Sequence, residues 1–215
     1  VEGVETISAN TDSQALTKNK AAEKIILGEL NNHGQGAGGK PDVGRDTALD
    51  DYERLTTMFD GADMVFIAAG MGGGTGTGAA PIVARAAKEV GALAVAIVTK
   101  PMSLEFKDDL AEAGIKELRS EVDSLITIPN QKLSEVFGGD CTMLEAFGHA
   151  NDVLLGAVRG IADIITQTGY INVDFNDVRT VMAEQGVAMM GTGVASGPSR
   201  AKDAAAQACL LYTSD

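Results

Sequence analysis

The 215-residue chain carries 17 Lys and Arg against 30 Asp and Glu, a formal charge of −13, which opposes binding to nucleic acid or to an anionic membrane surface. No apolar run reaches the roughly 18 residues of a membrane span, no signal peptide is visible, and Cys141, Cys209, His33 and His149 stand in no metal or redox spacing. With 45% hydrophobic residues, 4% aromatics and no tryptophan, the core is expected to be built from Val, Ile, Leu, Ala and Met, which suits a buried parallel sheet under helices in a soluble cytosolic enzyme.

Residues 4–9 read as a strand that leads into a short helix through Leu16. Asp12 sits at that junction, either as a helix cap or facing a ligand beyond the strand end. Residues 24–27 give a second strand, followed by a loop, 34–44, with five glycines. Strands at 62–69, 92–98 and 122–128 then alternate with helices at 45–59, 79–90 and 103–120, a pattern that predicts parallel strands joined by right-handed crossovers. Ligands of such sheets bind beyond the C-terminal ends of the strands.

The segment Gly70-Met-Gly-Gly-Gly-Thr-Gly-Thr-Gly78 lies between a strand and a helix, and six of its nine residues are glycine. A tight turn needs one or two glycines, whereas a loop without Cβ atoms lets backbone N–H groups close on an anion at a helix N-terminus. Gly72, Gly73, Gly74, Thr75, Gly76 and Thr77 are therefore candidates to hold phosphates, with the two threonines as possible hydroxyl donors. The lysine of a G-x-x-x-x-G-K-[ST] loop is absent, so this is not a P-loop. Gly74-Thr-Gly76-Thr-Gly-Ala79 matches a dinucleotide fingerprint loosely, but the strand at 92–98 ends in Thr99-Lys100-Pro101 and lacks the acidic residue that would bind a ribose. An NAD-dependent oxidoreductase of Rossmann type is accordingly the second reading.

The G-G-G-T-G-T-G run resembles the signature of the tubulin/FtsZ superfamily. The likeness extends from Val4 to about Ala206 through Asn10-Thr-Asp12, Gly36-Ala-Gly38, Ile128-Pro-Asn130, Ala146-Phe-Gly148, Asn151-Asp152 and Asn172-Val-Asp-Phe-Asn-Asp177. It implies an α/β, Rossmann-like nucleotide-binding domain with a mostly parallel sheet, a long core helix and the start of a second domain. It also implies a GTPase that polymerises head-to-tail into filaments of the bacterial division ring, in the cytoplasm at mid-cell. By this resemblance Ala37, Gly38 and Gly39 reach the γ-phosphate, Asp12 lies near phosphates and Mg2+, and Glu105 contacts the ribose. Phe147 and Asp152 take the guanine base, Asn130 and Asn151 add polar contacts, and GTP or GDP is the bound nucleotide.

Hydrolysis is assigned by the same likeness to Asn172, Asp174 and Asp177 entering the site of the next subunit. The competing reading, Asp174 as N-cap with Asp177 three residues on, stabilises a helix without chemistry. No residue cluster predicts a protein-held metal, and accessory partners of the division ring are expected to bind a C-terminal tail outside this chain, with no nucleic acid and no direct membrane contact.

The domain boundaries implied are 1–173 for a partial GTP-binding domain, 174–190 for a core helix carrying Val178, Val181, Met182 and Met189, 191–208 for the start of a second domain, and 209–215 for a tail unlike the family. The chain is expected to be a fragment, since family members open with a strand, a glycine loop and a helix ahead of the segment that matches Val1. Where the family usually has an arginine, this chain has Asp109, leaving Lys107 as the nearby cation. A noncatalytic piece that caps filaments of complete subunits is the third reading.

Overall fold

The computed structural model describes residues 3–132, 142–167, 174–183, 186–188 and 193–213. Strand β1 (Ile7–Asn10) pairs in parallel with β2 (Glu23–Ile26), and a second sheet has the order β3 (Met64–Gly70), β4 (Leu93–Lys100), β5 (Ser124–Pro129) and β6 (Gly186–Ala188), all parallel. Four of the five expected strands fall within two residues of the observed bounds, while β1 begins three residues later than expected.

β4 shows why the sheet is parallel and central. From Leu93 to Val98 no residue is more than 2% exposed, which requires helices on both faces. Alternate side chains feed two cores. Ala94, Ala96 and Val98 join Ile67 and Leu125 beneath α3 (Pro41–Asp50), α4 (Tyr52–Phe59), α5 (Thr75–Glu89) and α6 (Asp108–Glu121). Leu93, Val95 and Ile97 join Ile126 and Ile128 under α7 (Met143–Thr166) and α8 (Phe175–Met182).

The helix expected over 45–59 is two helices. Pro41 sits at the first turn of α3, where its missing N–H is not needed, and the chain breaks at Asp51, whose carboxylate accepts a hydrogen bond of 2.6 Å from the Gly28 N–H. The helix expected from 79 begins at Thr75, inside the glycine run. The one expected over 103–120 is a short 3-10 turn, Ser103–Glu105, followed by α6.

The helix expected over 174–190 is also shorter. α8 ends at Met182, and Gly186–Ala188 pairs with β5. Gly186 has φ of +72°, and the free edge of β5 takes the next residues as a strand, so tertiary pairing overrides helical periodicity. Met189 lies outside the described residues. A last helix, α9 (Arg200–Thr213), runs without a break through the expected boundary at 209.

Candidate functional site

The C-terminal ends of β1, β3, β4 and β5 converge on the start of α5, which has no side-chain cap. Among the described residues, the backbone N–H groups of Gly73, Gly74, Thr75, Gly76 and Thr77 find no acceptor in the protein. Such a row of donors at a helix N-terminus, with the partial positive charge of the helix dipole behind it, suits a phosphate.

The glycines divide into two kinds. Gly72 has φ of +93°, and a Cβ there would stand 3.0 Å from Lys107 Cβ and 3.1 Å from Pro101, whereas Gly73 faces open space. Gly73 leaves the approach to the donors clear, whereas Gly72 is required by its left-handed backbone and its packing against Lys107 and Pro101. Gly76 would collide with the Gly70 carbonyl, and Gly78 with the Pro41 carbonyl and the Arg45 N–H. Gly78 is thus explained by the close crossing of α3 and α5, and part of the glycine count is packing.

The threonines are braces. Thr77, 3% exposed, accepts the Gly72 N–H at 2.9 Å. Thr75 Oγ1 lies 2.6 Å from Thr11 Oγ1, which fastens the β1 end to the start of α5. Thr11 is fully buried and was not singled out by the sequence, since a lone threonine beside Asp12 carries no pattern.

The second glycine loop packs against the first. A Cβ on Gly74 would stand 2.7 Å from Ala37 Cβ and 2.8 Å from the Lys40 nitrogen, while Gly38 and Gly39, at φ of +57° and +74°, face open space. The Gly36 N–H donates to the Thr11 carbonyl at 2.9 Å, tying this loop to the β1 end. Asp12 accepts from the N–H groups of Gln14 at 2.8 Å and Ala15 at 3.3 Å, so its carboxylate caps α1 (Ser13–Lys18).

Beside the phosphate row lies a cavity of about 190 Å3 lined by Gly70, Met71, Thr99, Pro101, Glu105, Asn130, Phe147, Ala150 and Asn151. Four residues singled out far apart in the sequence, Glu105, Asn130, Phe147 and Asn151, thus share one space. Asn130 is 5% exposed and its Oδ1 has no hydrogen-bond partner among the described residues, a costly arrangement unless a ligand donor completes it.

Phe147 keeps 38% of its surface exposed. Glu105 accepts the Met102 N–H at 3.1 Å, and Lys107 Nζ lies 3.7 Å from its carboxylate. Lys107 therefore stands beside both Gly72 and Glu105, while Asp109 lies in the first turn of α6. Asp152, one position round α7 from Asn151, does not line the cavity.

Asp174 and Asp177 lie at the other end of the sheet. Asp174 accepts the Asp177 N–H at 2.9 Å and Asp177 accepts the Asp174 N–H at 3.3 Å, a reciprocal capping box at the start of α8. Their neighbour Arg179 donates to the carbonyl of Gly91, in the turn before β4. α7 connects the two ends: from Phe147 to Thr166 it rises by about 30 Å at 1.5 Å per residue. These carboxylates are out of reach of the cavity in their own chain. Asn172 lies outside the described residues.

The three-layer fold, the uncapped helix behind a glycine loop and the adjoining cavity of mixed polar and apolar lining define a nucleotide-binding α/β domain. Residues 2–138 match the Tubulin/FtsZ family, GTPase domain, and the chain belongs to that family. It is 59% identical over 207 residues to the cell division protein FtsZ of Pseudomonas aeruginosa, covering 95% of this chain and 52% of the relative, and equally identical to that of Coxiella burnetii, covering 54% of it. The chain therefore spans about half the length of these curated relatives. Among solved structures, the empty FtsZ dimer of M. jannaschii superposes with a TM-score of 0.93 at 42% identity, over 98% of this chain and 62% of that one. CetZ from Methanosaeta thermophila, at 23% identity and TM-score 0.71, shares the fold.

Proposed function

We propose that these residues form the nucleotide-binding part of a GTPase that assembles head-to-tail and hydrolyses GTP between subunits during bacterial cell division. The separation of the two halves of the site carries this reading. Phosphate donors and the base cavity occupy one end of the sheet, and the paired carboxylates occupy the other, about 30 Å away by the length of α7. Stacking the lower end of one subunit on the upper end of the next brings the halves together, a heterologous contact that propagates as a filament. The relatives named for cell division support the same reading, and a mid-cell cytoplasmic location follows from it.

In the assembled site the N–H groups of residues 73–77 hold the phosphates and spread the charge that grows on them as the β–γ bond breaks. The loop at Gly38 and Gly39 approaches the terminal phosphate. Glu105 meets the ribose, and Phe147, Asn130 and Asn151 hold the base, with Asp152 as its carboxylate partner after a rotation of its side chain.

Asn172, Asp174 and Asp177 of the neighbouring subunit orient the attacking water, whose oxygen bonds to the γ-phosphorus. Its proton moves toward a carboxylate as GDP leaves. Mg2+ would neutralise phosphate charge. Among the described residues no group of three acidic, histidine or cysteine side chains gathers in one place to hold an ion. Accessory proteins of the division ring are expected to bind segments outside these residues.

Thermal melting of the chain with magnesium and GTP, GDP, ATP or NAD tests the binding half, because a ligand that binds the native state raises the midpoint. A rise with both guanine nucleotides and none with ATP or NAD is expected. A rise with NAD alone would replace this reading with the oxidoreductase one. For the catalytic half, Asp177→Ala in the complete protein should keep GTP binding and assembly yet lose at least ten-fold in turnover. Unchanged turnover at matched polymer mass would remove Asp177 from the mechanism.

A further inference from the structure

The phosphates of a nucleotide carry several negative charges, yet the donor row at the start of α5 consists of neutral N–H groups in a chain of net charge −13. Three neighbouring cations are already engaged. Lys100 Nζ lies 2.7 Å from the Glu112 carboxylate, Lys107 Nζ lies 3.7 Å from that of Glu105, and Arg45 is paired with Glu117. Lys40 differs: it is exposed, and its ammonium has neither an ion pair nor a hydrogen-bond acceptor among the described residues.

The backbone of Lys40 is fixed against the row. Its N–H donates to the Ala37 carbonyl at 3.0 Å, its carbonyl accepts the Gly44 N–H at 3.3 Å, and its nitrogen and oxygen stand 2.8 and 3.0 Å from where a Cβ on Gly74 would lie. Pro41 follows at the first turn of α3, and the Lys40 side chain makes no capping bond to that helix. A free ammonium thus stands on a flexible four-carbon stem whose base is held beside Gly74. The other end of the row faces the cavity of Glu105, Asn130 and Phe147: Gly72 packs on Lys107, and no residue from 36 to 40 lines that cavity. A nucleotide whose base occupies the cavity runs its phosphates from Gly72 toward Gly74, so the phosphate farthest from the base ends beside Lys40.

We propose that Lys40 distinguishes a nucleoside triphosphate from a diphosphate at this site, its ammonium pairing with the terminal phosphate that a diphosphate lacks. This inference rests on the nucleotide reading above. An ammonium on a phosphate oxygen makes a charge-assisted hydrogen bond, and at the rim of a site water screens part of it. Lys107, at the other end of the row, stands beside the phosphates that both nucleotides share. Removing its charge therefore weakens the two alike.

Calorimetric titration of the complete protein with Mg2+ and either GDP or β,γ-methylene-GTP, below the concentration at which it assembles, tests this. In Lys40→Met the affinity for the triphosphate analogue should fall about five-fold or more while that for GDP moves by less than about two-fold, and Lys40→Arg should bring the analogue back to within about two-fold of the original. Lys107→Met should lower both affinities by the same factor. The ratio of the two affinities does not respond to a general loss of stability, so it reads the charge and not the fold. Equal loss for both nucleotides in Lys40→Met, or loss for neither, in a protein whose original form binds both, would overturn the assignment of Lys40 and leave the guanine site standing. So would a selective loss of the analogue in Lys107→Met, which would reverse the direction of the phosphates. An original protein that binds neither nucleotide would overturn the nucleotide reading and Lys40 with it.

Discussion

The two ends of the sheet satisfy their polar groups in opposite ways. At the C-terminal ends of the strands, five consecutive N–H groups and the Asn130 Oδ1 have no partner among the described residues. At the N-terminal ends, Asp174 and Asp177 cap one another's backbone, Asp123 accepts the Ala94 N–H at 2.9 Å, and Arg179 reaches the Gly91 carbonyl. Unmet donors beside a cavity are what a ligand completes, while met ones hold a fold. The contrast teaches that acidity alone locates nothing here: Asp174 and Asp177 are satisfied as a capping box within the single chain, and it is only in the proposed mechanism that a second subunit brings them a substrate.

The largest effect is expected where the upper end is built from close packing. In Gly78→Val the new side chain would enter the Pro41 carbonyl and the Arg45 N–H, both backbone atoms that cannot step aside. Overpacking of this sort costs about 3 kcal/mol, or roughly 6–12 °C in the melting midpoint of a chain this size. A drop below 2 °C, measured by calorimetry, would mean that α3 and α5 separate easily and that Gly78 belongs to the ligand loop.

Asn130→Leu separates ligand binding from folding at the same end. Removing an unpartnered buried amide relieves a desolvation cost, so the ligand-free chain should melt within about 1 kcal/mol of the original, while guanine nucleotide loses a partner worth about 1.5–3 kcal/mol, ten-fold or more in affinity. Calorimetric titration with GDP and Mg2+ measures the second quantity. Equal loss of stability and unchanged affinity would show that the amide serves the core.

Asp174→Ala probes the satisfied end. Loss of an N-cap costs about 1 kcal/mol, or 2–4 °C, and the distance along α7 predicts no change in the nucleotide-induced shift of the isolated chain. A smaller shift with GDP would contradict the separation of the two halves.

How much of this was legible beforehand depended on whether a feature is local. β4 could be read because residues 93–98 are apolar without interruption, and the glycine loop because so many glycines have no cheaper use than clearing a backbone. The shared cavity of Glu105, Asn130, Phe147 and Asn151 followed from a family likeness and not from spacing, since these residues come from a loop, a strand end and a helix. The short α8 was hidden because β6 exists only through the edge of β5. Likewise Gly78 and Thr11 act through partners 37 and 64 residues away, Pro41 and Thr75, which no pattern along the chain reveals.

The smallest effect lies in the helix layer at the satisfied end, where the Tyr52 hydroxyl donates to Glu89 at 2.6 Å, joining α4 to the last residue of α5. Burial, then the hydrogen bond and charge of Glu89, push the Tyr52 pKa up to about 12 from 10.0. The folded state thus holds this proton more tightly than the unfolded chain, so the contribution is fully present below about pH 10 and is lost as pH rises toward 12. Tyr52→Phe should cost about 0.5 kcal/mol at pH 7, near 1–2 °C, and the gap should close between pH 10 and 11 as the original chain loses stability that the variant never had. Melting curves for both chains at pH 7, 9, 10 and 11 decide it: parallel lines would mean that Tyr52 ionises as freely in the folded protein as in the unfolded one, and that α4 is held by its apolar face alone.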